Sequence, residues 1–166
     1  MYRDKPNHIQ LQETLERNIL HGLSMEWDHA LWVLDDTERQ RLKKPLFSLR
    51  DMDRQLGTWS REKNEISLSR QHVLNCPWDD TREILIHEMA HQYADQVLHA
   101  GNETPHGPLF RKACLRLRAN PSASGTVKTS HARLQGDPQD RHDRNIVRIK
   151  KLMSLAESRN RHEAEA

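Results

Sequence analysis

His87-Glu88-Met89-Ala90-His91 constrains this chain more than any other stretch. Histidines four residues apart project from one face of an α-helix, one turn apart, so both imidazoles can reach a single metal ion. Zn²⁺ held in this way takes nitrogen ligands at roughly 2.0–2.1 Å and keeps a position open for water. The glutamate between the histidines lies toward the same side, where it can accept a proton from that water. The motif therefore demands a helix, and it offers His87 and His91 as ligands and Glu88 as a base. The plain alternative is a surface helix with two solvated histidines, and the flanking sequence argues against it.

Thr81 to Ile86 leads into the motif, and Gln92 to Leu98 continues it without Gly or Pro. Asp79 or Asp80 is placed to cap the helix, with Glu83 three residues after Asp80 as in a capping box. Ile86, Met89, Ala90, Tyr93 and Val97 recur at three- and four-residue spacing, which predicts one buried stripe. Gly101 is the expected stop. Catalytic zinc usually has three protein ligands, and the downstream candidates are Asp95, His99, Glu103 and His106. Three ligands on one straight helix make poor tetrahedral geometry, which counts against Asp95, and His99 points away from the pair. His106 follows a loop that lets the chain double back, just before a helix opened by Pro108 and running to about Ala119, with Leu109, Phe110, Ala113, Leu115 and Leu117 as its apolar face. His106 is the expected third ligand, with Glu103 the next candidate.

The motif, the fifteen-residue step and His106-Gly107-Pro108-Leu109-Phe110 together resemble the SprT-like (Spartan-related) zinc metalloproteases. Leu56-Gly57-Thr58-Trp59 and Ile66-Ser67-Leu68-Ser69 look like that family's short strands before the zinc helix. The resemblance covers roughly residues 8–120. It implies a compact zincin with Zn²⁺ on His87, His91 and His106, Glu88 as general base, and a protein substrate that is bound or crosslinked to DNA. Many bacterial relatives carry a four-cysteine zinc ribbon after this core. Only Cys76 and Cys114 are present here, so these residues cannot build it.

The rest of the pattern predicts an α+β domain over 1–120. Two helices are expected at Ile9–Leu23 and Met25–Leu34, the second with Trp27, Leu31 and Leu34 inward. The polar run Asp35–Arg41 carries no clear period. Three short strands fit Leu46–Met52, Gln55–Ser60 and Glu65–Leu68, and Arg70–Asn75 fits a helical turn. The order predicts helices packed on a small antiparallel or mixed three-stranded sheet. Trp27, Trp32, Trp59 and Trp78 are expected in the core or in cleft walls rather than as base-stacking platforms. Residues 121–139 shift to Ser, Gly, Thr, Asp and Pro and read as a linker. Beyond it, 140–166 reads as a basic amphipathic helix with Ile146, Ile149, Leu152, Met153 and Ala156 on one stripe. That segment resembles the start of a short helical domain of unknown function found in bacterial and phage proteins.

Charge is unevenly placed. Over 79–106 six acids face one arginine, whereas over 107–153 eleven Lys or Arg face three Asp. The basic half could track phosphates without reading bases, giving salt-sensitive, sequence-independent DNA contact. The competing reading is a solvated helix face beside a charged linker. No apolar run is long enough for a membrane span, and the first residues lack the apolar block of a signal peptide. A cytoplasmic protein of bacterial or phage origin is expected, with both cysteines buried and reduced. Two functions of different class fit these residues: a metalloprotease, and a zinc-stabilised nucleic-acid-binding or interaction module with little or no catalysis.

Overall fold

A computed structural model of the chain describes residues 8–101 and 103–121. The expected linker beyond Pro121 and the amphipathic segment from 140 lie outside the described residues. The architecture is mixed: among the described residues, five α-helices pack on a three-stranded sheet. Helix α1 spans His8–Ala30 as one rod, where the sequence predicts two helices parted near Gly22. The reason is packing. A Cβ at Gly22 would stand 3.0 Å from Trp78 Cη2, so the glycine gives a neighbouring ring room without ending the helix. Its propensity cost of about 1 kcal/mol is offset by that contact. Glu26, one turn on, accepts from Trp78 Nε1 at 3.0 Å and Arg82 Nε at 3.1 Å.

A 3-10 turn at Leu31–Val33 follows, with no buried residue, and it leaves Trp32 79% exposed rather than in the core. Helix α2, Asp36–Arg41, occupies the polar run that showed no period. A capping box makes it: Asp35 Oδ1 accepts from Glu38 N–H and Glu38 Oε2 from Asp35 N–H, both at 2.9 Å. Glu38 also accepts from Arg116 Nε at 2.8 Å and Tyr93 Oη at 2.5 Å, tying three helices together. The Arg116 bonds, above all, hold its carboxyl down to about 2 from the usual 4.5. A depressed carboxyl contributes stability that is present above its unfolded value and lost as pH falls toward its folded one. After allowing for screening by solvent, that contribution is on the order of 2 kcal/mol at neutral pH. Urea unfolding of the wild type and Glu38→Gln should therefore show a stability gap that narrows between about pH 5 and about pH 2. A gap independent of pH contradicts the assignment.

Strands β1 (Leu46–Arg50), β2 (Gly57–Ser60) and β3 (Glu65–Ser69) form the sheet in the order β1-β3-β2. β1 runs parallel to β3, pairing Leu46 with Glu65 and Arg50 with Ser69, and β2 runs antiparallel to it, pairing Gly57 with Leu68. The sheet is thus mixed. β3 is buried along its whole length, and its one charge, Glu65, is met by Ser48 Oγ at 2.6 Å and by both prongs of a bond from Arg50 Nη2. The β2–β3 turn closes through Asn64 at φ 47°, a left-handed position that asparagine tolerates. β2 is an edge strand.

Helix α3, Arg70–Asn75, is capped by Ser69 Oγ, and α4 spans Trp78–Gln96 through the centre of the domain. Pro77, not Asp79 or Asp80, is the α4 N-cap, and no side chain caps it. The two aspartates fall inside the first turn, where their charge still suits the helix dipole. The stop also differs: α4 ends at Gln96, and His99 takes the left-handed conformation at φ 56° two residues before Gly101. Ile86, Met89, Ala90, Tyr93 and Val97 are all buried as the stripe predicts. The opposite faces are buried too, including Gln92, which accepts from Trp27 Nε1 at 2.9 Å and donates to Lys43 O at 2.7 Å. Helix α5, Pro108–Arg116, buries Phe110, Ala113 and Cys114. Leu115 is 73% exposed, because Cys114 stands one turn beyond Phe110 and takes the inward place. Both cysteines are buried thiols, Cys76 Sγ lying 3.3 Å from His72 Nδ1, and burial pushes the Cys114 thiol up to about 11. No helix among the described residues is long and apolar enough to cross a membrane.

Candidate metal centre

His87 and His91 stand one turn apart on α4, and their ring centroids are 5.0 Å apart. The chain leaves α4 through the left-handed His99, returns through Gly101, and makes the turn Thr104–Gly107, closed by Gly107 N–H to Thr104 O at 2.9 Å. Pro105 holds the second position of that turn and His106 the third, which aims His106 back at α4. The ligand nitrogens of His87, His91 and His106 all lie within 4.8 Å of one another, and the Nε2 atoms of His87 and His106 are 3.3 Å apart. Two nitrogens bound tetrahedrally to one zinc stand about 3.3 Å apart, the spacing that His87 and His106 already have, and the three imidazoles together could hold such an ion.

Phe110 organises the cluster. Its ring stacks on His91 at 4.3 Å and meets His106 at 4.8 Å and His87 at 5.0 Å, edge to face. The sequence marks Phe110 as part of a buried stripe and as the end of the stretch that carries the resemblance, not as the ring that packs the imidazoles. Burial, with neighbouring imidazoles adding to it, lowers His87 and His91 to about 4. Both are therefore neutral at pH 7, the form in which imidazole binds metals. Nδ1 of His87 is buried with no hydrogen-bond partner among the described residues, and the Phe110 ring packs edge to face against this imidazole.

Glu88 is 3% exposed and lines the same cleft, a cavity of about 380 Å³. Burial raises its carboxyl to about 8, against a weaker opposing bond from the Trp59 backbone N–H. A divalent cation held by the imidazoles would favour its ionised form. Gly57 makes room for it: a Cβ there would stand 2.8 Å from Glu88 Cγ and 2.9 Å from Oε1. A glycine inside a strand often marks such a close approach, so this residue had a sequence signal that its motif overshadowed.

The other candidate ligands are spoken for. Asp95 lines the cleft, but its carboxylate pairs with the Arg61 guanidinium and accepts from Trp59 Nε1 at 3.3 Å. Glu103 also reaches the cleft wall, yet its Oε2 accepts from Leu109 N–H at 2.8 Å. His99 is exposed and outside the cleft lining. Tyr93 gives its hydroxyl to Glu38 and so faces away from the imidazoles, and Arg111 is exposed and does not line the cleft.

A helix bearing two imidazoles and a buried carboxylate, a third imidazole on a returning loop, and a strand edge alongside define a candidate metal centre of the HExxH kind. The family model described as the SprT-like family matches residues 9–131, and the chain belongs to that family. Neither the curated proteins nor the solved structures return a match.

Proposed function

We propose that this protein is a zinc metalloendopeptidase in which His87, His91 and His106 hold Zn²⁺ and Glu88 is the general base. The observation that carries the reading is the convergence of three imidazole nitrogens in a cleft that also contains the Glu88 carboxylate. Zinc in such a site supplies a Lewis acid for the scissile carbonyl and brings the pKa of water toward about 7. His87 and His91, held neutral by burial, are ready to ligate. Glu88, steadied by Trp59 N–H and seated on Gly57, takes the proton from the attacking water and returns it to the leaving amine. β2 is the sheet edge beside this carboxylate, and an edge strand offers an extended polypeptide main-chain hydrogen bonds along its length. That favours a peptide over a small ester or amide.

The substrates we propose are proteins associated with or crosslinked to DNA, a reading that the resemblance of the motif stretches implies and that the basic excess over 107–153 supports. The zinc-loaded chain of residues 1–166 should cleave a DNA-bound protein faster when single- or double-stranded DNA is added at low salt. The gain should fall steeply along a salt series. Equal cleavage with and without DNA at every salt concentration would reject the DNA-linked substrate while leaving the peptidase.

A further inference from the structure

Glu103 stands beside the three imidazoles without joining them, and what it does there follows from two observations. Its Oε2 accepts from Leu109 N–H at 2.8 Å, a backbone donor in the first turn of α5. Gly107, the N-cap of α5, makes no side-chain capping bond, so Glu103 supplies from upstream the acceptor this helix start lacks. The bond also closes a ring of chain from Glu103 to Leu109, and His106 lies in the middle of that ring.

The second observation is spatial. A Cβ at Gly107 would stand 2.5 Å from Glu103 Cγ and Cδ, and 2.9 Å from Oε2. Gly107 has φ −71° and ψ −173°, extended backbone open to any residue. Glycine is needed at 107 for room, not for conformation, and the room is filled by the Glu103 side chain. Carboxylate and glycine thus interlock directly beneath the turn that carries His106.

We infer that Glu103 is a positioning residue for the metal ligand His106: its carboxylate ties the Thr104–Gly107 turn to α5 and holds the imidazole where α4 presents the other two. This rests on the zinc site proposed above. It differs from that reading in giving Glu103 a place beside the ligands, with no bond to the ion. An amide oxygen in place of the carboxylate can still accept from Leu109 N–H, whereas a methyl group cannot.

The test measures zinc affinity by chelator competition, the visible spectrum of the Co²⁺-substituted protein, and the thermal midpoint of the metal-free protein. Wild type, Glu103→Ala, Glu103→Gln, Gly107→Ala and His106→Ala are compared. Glu103→Ala should weaken zinc binding about 10- to 100-fold, the usual range for groups that orient a ligand. Gly107→Ala should do the same by pushing the carboxylate aside, and Glu103→Gln should stay within about threefold of wild type. The Co²⁺ spectra of Glu103→Ala should keep the wild-type ligand field once saturated, because no ligand has been removed. Wild-type affinity in Glu103→Ala overturns the inference. So does a Glu103→Gln variant as impaired as Glu103→Ala, or a changed Co²⁺ ligand field, since either makes Glu103 a ligand itself. Should a midpoint show Glu103→Ala unfolded, Glu103→Gln and Gly107→Ala still decide. Zinc retained in His106→Ala would instead defeat the underlying metal site, an outcome separate from all of these.

Discussion

Glu88→Gln should bind zinc within about threefold of wild type and lose cleavage by about a thousandfold or more. The side chain is buried, packed on Gly57 and bonded from Trp59 N–H, and an amide of the same shape fills that space. What the amide lacks is the capacity to take a proton. A general base contributes roughly 10²–10⁴ to rate, and here the same group also returns the proton to the leaving amine, so the upper part of that range applies. The variant also separates the two classes of function. A zinc-stabilised binding module would be indifferent to it, with nucleic-acid affinity and fold unchanged and no activity to lose.

His106→Ala carries the second large effect. Groups that merely orient a ligand cost about 10- to 100-fold in metal affinity, so deleting one of three ligands should cost about a thousandfold. Asp95→Ala should leave zinc nearly untouched, because Asp95 is paired with Arg61 and Trp59 Nε1. Chelator competition on the purified variants gives the ranking directly. If Asp95→Ala weakens zinc more than His106→Ala, the ligand set is wrong.

The convergence of the three histidines was legible in the sequence, for a physical reason. His87 and His91 declare their own geometry through helical spacing, and the Gly and Pro around His106 announce a chain reversal. All three arrive together. Strand positions were legible to within a few residues, because the period-two pattern and turn residues are local signals. Most of what escaped depended on partners far along the chain. Gly22 looked like a break because nothing nearby shows that Trp78 will lie against it. The run Asp35–Arg41 has no apolar period, yet its Asp35-x-x-Glu38 spacing was a readable capping box. Trp32 and Leu115 are apolar residues that no element covers among those described. The roles of Gly57 and Phe110 at the centre needed the third dimension, since each acts on residues from another element.

The account stands most directly on one measurement: cleavage of a DNA-bound protein, and of the chain itself, by protein carrying one equivalent of zinc, repeated after chelation and after zinc is restored. It predicts cleavage in the loaded sample, loss on chelation, and recovery with added zinc but not in Glu88→Gln. A protein that holds one zinc at these histidines and cuts neither substrate would contradict it.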